Sequence, residues 1–395
     1  MTAAPVIAVL GGGIGGLATA AFLRRAGLGC TVYEQARELK EIGAGLVVAP
    51  NLARLLRRLG VLDTLAADAV CLDVGWEFRR WADGRVLSSE DLREACQDLY
   101  GERTYTVHRA ALLAALASAV PPETVRLGKR CVSVEVGSRV GLRFADGSRA
   151  EADVVVGADG VHSVVRAAFV ESAAPAYSGL CAFRALVPAE RAPALARRRA
   201  QTLWLGPGHH LVHYPVAGGR LVNLVAFAPA GGYATESWTA TATVEEFLAE
   251  FDGWDERLVE LIRAGGTPGR WALLDRAPLT RWSHGPVTLL GDAAHPMFPF
   301  FGQGAAQSVE DAAVLATCLA SAPPEEALRR YESLRIPRTT RLQEASHGRA
   351  HVNHLPDGPE QRARDAAFAS GDPLRDNGWI YAYEPGDVQG SGSAA

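Results

Sequence analysis

Gly11, Gly13 and Gly16 form a Gly-x-Gly-x-x-Gly array directly after the apolar run Val6–Leu10, and Glu34 closes the next apolar run. Glycines at this spacing permit a tight turn, let bare backbone approach a pyrophosphate, and let a helix pack closely on a strand. Ile14, Gly15 and Gly16 open the helix, and a helix N-terminus favours an anion. A carboxylate at the end of the second strand can accept both ribose hydroxyls of an adenosine. A second chemical segment stands far downstream. Gly291-Asp292 ends another apolar run, and His295, Pro296, Pro299, Gly302, Gly304 and Ala305 follow. A carboxylate there can accept hydrogen bonds from a polyol such as ribitol. The prolines and glycines make a stiff loop that brings backbone close to a ligand. A helix expected over Ser308–Ala320 would turn its positive end toward a flavin N1–C2=O edge, which becomes anionic on reduction. A nicotinamide dehydrogenase needs only the first segment. FAD is long, and a protein that grips it at both ends needs both.

The elements that position these residues read as a doubly wound sheet with an insert. Val6–Leu10, a helix over Gly15–Gly27 and the strand Cys30–Glu34 make one βαβ unit. Asn51 reads as the N-cap of a helix over Leu52–Leu59, and Val74–Leu87 as a hairpin. A helix follows over Arg109–Ala119, and Val154–Gly157 is a further buried strand ending at Asp159-Gly160. Residues 176–275 are mostly strand, with helices over Val244–Glu250 and Glu256–Ala264. Val287–Leu290 returns to a buried strand, and a helix is expected over Glu325–Leu334. The fold class expected is α/β with an α+β insert. FAD-binding parts cover 1–75, 101–175 and 276–325, a substrate-sheet hairpin covers 76–100, and the substrate domain covers 176–275. A C-terminal helical region covers 326–389, and a disordered tail covers 390–395.

Composition agrees with an ordinary globular protein. The chain has 395 residues, 48% apolar and 21% charged, with a formal net charge of −4. There is no basic excess to suggest nucleic acid. Ala3–Leu23 is uncharged and long enough to span a bilayer, but its glycines and proline fit a strand, a turn and a helix better. The six cysteines are scattered without a Cys-x-x-Cys pair, which points to reduced thiols in a cytoplasm and away from a dithiol relay. His347 and His351 are spaced i, i+4 with His354 after them, but no glutamate completes a zinc pattern. They read as helix-surface histidines, and no metal is expected.

Taken together, Gly11-x-Gly13-x-x-Gly16 with Glu34, His108-Arg109-Ala, Gly157-Ala158-Asp159-Gly160 with Ser163 and Arg166, and Gly291-Asp292 through Gly304 resemble the single-component, class A FAD-dependent aromatic hydroxylases. The order and spacing match over nearly the whole chain. Gly206–Pro215 and the closing segment Leu355 to Tyr381 are similar to the salicylate hydroxylase and 6-hydroxynicotinate 3-monooxygenase branch.

The resemblance implies roles. Glu34 would bind the adenosine ribose, Arg109 the pyrophosphate region, and Asp292 the ribitol or pyrophosphate. Asp159-Gly160 would serve the pyrophosphate and nicotinamide access. Pro299, Gly302, Gly304 and Ala305 would line the isoalloxazine. Arg37, with Glu41 and Gly43–Gly45, would lie near the adenine and the moving flavin. For Arg109 the plain alternative is a surface arginine. For Asp159 and Arg166 it is a helix cap and a helix arginine. The resemblance further implies non-covalent FAD, reduction by NADH or NADPH, and reaction with O2 to a C4a-hydroperoxide that an electron-rich ring attacks. The substrate would be a small phenolic or hydroxy-heteroaromatic acid, hydroxylated with or without decarboxylation. A larger phenolic natural product, or a flavin-binding regulator without turnover, is the alternative. A monomer or a homodimer is expected, with no nucleic acid or membrane as partner.

A substrate hydroxyl must be deprotonated or strongly hydrogen-bonded for this chemistry. His210 and Tyr214 are four apart on one strand and so share a face. His210 is the candidate base or proton relay, because imidazole titrates near neutrality. Tyr214 is the candidate donor. His213 points to the opposite face. Met297, Phe298 and Phe300 are candidate walls of the substrate pocket, with core packing as the alternative for each.

Overall fold

The computed structural model describes residues 4–39, 45–169, 176–232 and 240–385. Glu41, Gly43 and the tail 390–395 lie outside these residues. Five parallel strands form the central sheet in the order Val287–Leu289, Val154–Gly157, Ile7–Leu10, Cys30–Tyr33, Val125–Arg126. The three inner strands read as near-continuous apolar runs because helices or loops cover both faces. The helix Ile14–Arg25 packs on this sheet beside the helix Gly304–Ser321.

A seven-stranded sheet stands apart from it. Its order is Gly269–Asp275, Ala176–Pro188, Leu221–Pro229, His209–Val216, Ala200–Gly206, Val74–Arg80, Val86–Asp91. Only the pair Ala200–Gly206 and Val74–Arg80 is parallel. The hairpin read near residue 76 is therefore the edge of the inserted sheet. Alternation of side chains gives this sheet two unlike faces. Phe183, Trp204, Leu211, Leu224 and Ala226 bury one face under the helices Val244–Glu250 and Glu256–Ala264. The residues between them in sequence, Arg184, Leu203, His210, Val212, Val225 and Phe227, form the other face and line a cavity.

Three expected elements differ. The helix placed at Leu52–Leu59 spans Pro50–Arg58, and its N-cap is Ala49, not Asn51. Proline is well suited to the first helical position, and the Asn51 side chain is instead drawn into the core, where Nδ2 donates to Gln303 and Glu310. The helix placed at Ser308–Ala320 starts at Gly304, which brings its N-terminus up to the proline–glycine loop. The helix placed at Glu325–Leu334 spans Pro324–Asn353 and runs through Pro337. A proline there removes a backbone hydrogen bond. Arg335 and Arg338, on either side of it, are tied to Glu310 and Asp311 of the neighbouring helix, which holds the helix together across the gap.

Candidate active site

The cavity runs between the two sheets. At one end it is lined by Gly13, Ile14 and Gly15 of the glycine turn, and at the other by His210, Tyr214 and Phe227 of the seven-stranded sheet. Between them lie Arg109, Gly160, Asp292, Met297, Pro299, Phe300, Gly302, Gly304 and Ala305.

The three glycines of the first motif divide the work. A Cβ on Gly16 would collide with the Gly11 carbonyl oxygen, and Gly11 itself has φ +107° under the Ala158 backbone. These two let helix, turn and strand pack together. Gly13 has no atom within 4 Å of a Cβ position and faces the cavity. It is the place where a pyrophosphate can approach. Gly13 caps the helix without a side-chain hydrogen bond, so the first turn's N–H groups remain for an anion. Glu34 stands beside the turn, accepting from the Gly12 amide at 2.6 Å and the Ala36 amide at 2.7 Å. These bonds hold its carboxylate against the glycine turn, and Glu34 does not line the cavity itself. Arg37 is exposed and lines no part of the cavity.

The second motif is held by a buried ionic network that sequence reading missed. Asp311 accepts from the Gly291 amide at 3.0 Å, pairs with His295 at 2.6 Å, and accepts from Arg335 Nε at 2.6 Å. Burial opposes its charge, but His295 and Arg335 outweigh that and hold its carboxyl at about 2. Glu310 pairs with Arg335 and Arg338, and Gln343 donates to the Pro296 carbonyl. Both ends of the loop from Gly291 to Gly304 are thus fixed from behind. Its front presents Asp292, Pro299, Gly302 and Gly304 to the cavity. An apolar-stripe reading could not find this network, because its members are buried charges on the helices' core faces.

Asp159 sits in a turn at the cavity edge and binds the start of a helix. Its Oδ2 accepts from the Val164 amide at 2.8 Å, at the start of the helix Val164–Phe169, and burial raises its pKa. The neighbouring Ala158, Gly160 and Val161 line the cavity, not Asp159. Arg166 donates to the Ala293 carbonyl at 2.8 Å and to the Val161 carbonyl, stapling this turn to the Gly291-Asp292 loop. Among the described residues the buried Asp159 Oδ1 has no hydrogen-bond partner.

On the sheet side, His210 and Tyr214 are both buried and both line the cavity. His213 faces away and accepts from Trp204 Nε1 at 3.1 Å. Phe300 reaches from the proline–glycine loop to within 5.0 Å, ring to ring, of both His210 and Phe227. Burial lowers the pKa of His210 and raises that of Tyr214 to about 12, so near neutrality one is an uncharged base and the other a phenol donor. Met297 and Phe300 line the cavity, but Phe298 does not. It packs against Phe300 and the ring of His347, and His347 is half-buried and paired with Asp275 at 2.7 Å. His351 is exposed as expected. His354 is only partly exposed and is tied inward, for its Nε2 lies 2.6 Å from His210 Nδ1. Arg184 is a second residue that sequence reading missed. It lines the cavity with its guanidinium 4.7 Å over the Trp271 ring, and its Nε has no hydrogen-bond partner among the described residues. Burial lowers its pKa to about 10.

Comparison with known proteins agrees with this two-ended architecture. Residues 3–346 match the FAD binding domain family. A 3-amino-4-hydroxybenzoate 2-monooxygenase of Streptomyces platensis is 45% identical over 387 residues, 97% of each chain. A 6-hydroxynicotinate 3-monooxygenase of Pseudomonas fluorescens is 37% identical, covering 88% of this chain and 91% of that one. Among solved structures, Klebsiella pneumoniae HpxO complexed with FAD and uric acid aligns with a TM-score of 0.85 at 28% identity, covering 95% of this chain and 96% of that one. A salicylate hydroxylase substrate complex aligns with a TM-score of 0.81 at 28% identity, covering 97% and 96%. The open approach at Gly13, the pinned loop from Gly291 to Gly304 and these likenesses converge: the chain belongs to the FAD binding domain family, as an FAD-dependent aromatic monooxygenase of the class A flavin hydroxylases.

Proposed function

We propose that this enzyme consumes NADH or NADPH and O2 to hydroxylate a small phenolic or hydroxy-heteroaromatic acid, with or without loss of the carboxyl group. FAD, when bound and reduced, supplies oxygen in an electrophilic form. Gly13, Gly15 and the N-terminus of the helix Ile14–Arg25 would hold its pyrophosphate, Glu34 its ribose and Asp292 its ribitol. Arg109, which lines the same cavity, would bind the pyrophosphate region. Pro299 to Ala305 would lie along its ring system.

The observation that carries the substrate class is the composition of the sheet face across from that loop. His210 and Tyr214 flank Val212 on one strand, and the register Val212–Val225–Arg184 sets Arg184 two strands away, roughly 10 Å across the sheet. The cavity therefore offers a neutral base at His210 and, beyond Val212 on the same strand, a phenol donor at Tyr214 that lies near the Arg184 guanidinium. That spacing suits a ring with a hydroxyl at one end and a carboxylate at the other. His210 would draw the proton from the ring hydroxyl, Tyr214 would donate a hydrogen bond to the substrate, and Arg184 would hold the acid. Phe227, Phe300 and Val212 supply apolar walls that keep water from the ring. The six cysteines are all free, which supports a reducing, cytoplasmic setting.

The test is aerobic NADH and NADPH oxidation by the FAD-loaded protein with 3-amino-4-hydroxybenzoate, 6-hydroxynicotinate and 3-hydroxybenzoate, read together with peroxide release and product mass. At least one acid should stimulate oxidation and gain one oxygen atom. A yellow protein that no acid stimulates would be a flavin binder and not this enzyme.

A further inference from the structure

His210 Nδ1 and His354 Nε2 share a 2.6 Å hydrogen bond, although they come from an inner strand of the inserted sheet and the C-terminal end of the long helix. His210 is 2% exposed and lines the cavity, whereas His354 is partly exposed. The pair thus joins the closed interior to the surface. The backbone repeats the join, for the Gly208 amide donates to the His354 carbonyl at 2.9 Å. Rings enclose His210 on its other sides, with Phe227 stacked at 4.5 Å and Phe300 edge-on at 5.0 Å. These apolar neighbours can neither accept nor donate a proton.

We propose that His354 is a positioning residue that relays the substrate's phenolic proton from His210 to solvent. This rests on the functional reading of the cavity given above. His210 Nδ1 is committed to His354, which leaves Nε2 for the ring hydroxyl. The O–H bond of the substrate breaks and the proton bonds to His210 Nε2. The Nδ1–H proton of His210 passes to His354 Nε2, and the Nδ1–H proton of His354 passes to water. One proton leaves, the negative charge stays on the substrate oxygen, and each imidazole ends neutral as its other tautomer. The reverse sequence, when the product hydroxyl takes up its proton, restores both rings.

The surroundings favour a neutral relay over a stored charge. Arg349 from the long helix and His209 from the same strand are the other titratable groups that face His210, and His209 also faces His354. His209 is itself paired with Glu250 at 3.0 Å. Among the described residues no carboxylate contributes to the titration of His210 or His354, whose contributing neighbours are cations or imidazoles. Burial and these neighbours lower both, His354 to about 4. A lone buried base would have to keep the proton it took. A paired one can hand it on.

The experiment uses the full FAD-loaded chain. Wild type, His354→Leu and His354→Gln are mixed with 3-amino-4-hydroxybenzoate, 6-hydroxynicotinate or 3-hydroxybenzoate in weak buffer. A pH indicator reports proton release and ligand absorbance reports ionisation of the hydroxyl. The Gln amide can still bond to His210 Nδ1 but cannot pass a proton, so it separates transfer from packing if the Leu variant folds poorly. Both variants should bind the acid with a dissociation constant close to wild type and release the proton roughly 10-fold or more slowly. Added imidazole should restore the rate. Wild-type release rates in both variants, or slow release that imidazole does not rescue, would overturn the relay alone. Failure of every acid to bind wild type would overturn the functional reading, and the relay with it.

Discussion

Asn51 Nδ2 donates to Gln303 Oε1 at 2.9 Å across 252 residues of sequence. Gln303 precedes the helix that begins at Gly304, so this bond ties the helix Pro50–Arg58 to the back of the loop that faces the flavin site. The same amide donates to Glu310 at 2.8 Å, and burial there is complete for Asn51 and Glu310. Replacing Asn51 by Ala leaves two buried acceptors short of a donor. The expected cost is about 1–3 kcal/mol of stability. FAD affinity should fall as well, because the loop loses its brace. Thermal melts of apo and FAD-loaded protein check both effects. A variant with wild-type melting in both states would show that the bond braces nothing.

Gly13 and Gly16 should fail in different ways. Gly16→Ala meets the Gly11 backbone, which cannot move without disrupting the turn, so the variant should be poorly folded with or without FAD. At Gly13 an added Cβ meets no atom of the described residues beyond its chain neighbours within 4 Å, so Gly13→Val would project into the cavity at the pyrophosphate approach. It should fold and remain colourless. Circular dichroism together with flavin titration separates the two outcomes. A Gly13→Val protein that binds FAD as wild type does would remove Gly13 from the cofactor site.

What the sequence disclosed follows from locality. The glycine turn and the proline–glycine loop are legible because backbone geometry itself demands those residues. His210 and Tyr214 are legible because a strand has period two, and His213 falls correctly on the far face for the same reason. Arg184 is not legible, since its place in the cavity depends on a register across three strands. His354 is hidden by a helix that continues past Pro337 and so carries the residue to the sheet. Asp159 and Phe298 sit within cofactor motifs, yet one caps a helix and the other fills core, because a motif specifies the backbone more tightly than each side chain.

Glu90 should make stability depend on pH. It is buried on the edge strand Val86–Asp91, and the Leu374 amide lies near its carboxyl without making a hydrogen bond of normal geometry. Burial, then Asp372, push its pKa from 4.5 up to about 8. Between those values the folded chain holds a proton that the unfolded chain has lost. The stabilising contribution is therefore fully present below 4.5 and is lost as pH rises through 8. Glu90→Gln removes the titration and keeps the shape. The variant's advantage in chemical denaturation should grow from near zero at about pH 5 to the order of 1–3 kcal/mol at about pH 9. A difference that stays flat over that range would mean that Glu90 ionises as an ordinary carboxyl.

Arg184 gives the sharpest check on substrate class. Its guanidinium is in the cavity, held over Trp271, with Nε unbonded. An aromatic carboxylate would supply the missing acceptor, and a charge-assisted bond at a buried site is stronger than a neutral one. Arg184→Met keeps much of the length and removes the charge. The KM for the true acid substrate should rise by roughly 10- to 100-fold, while the same ring lacking the carboxylate should be used about as well by variant and wild type. The kcat should change less than KM, because the carboxylate is bound equally in the ground state and in the transition state. Arg184→Lys should recover part of the loss, since it restores charge without the planar fork. If the acid and its decarboxylated analogue lose equally in Arg184→Met, the residue shapes the pocket and does not hold an anion. The cation that binds the acid must then be sought at Arg109 or Arg276, which line the same cavity.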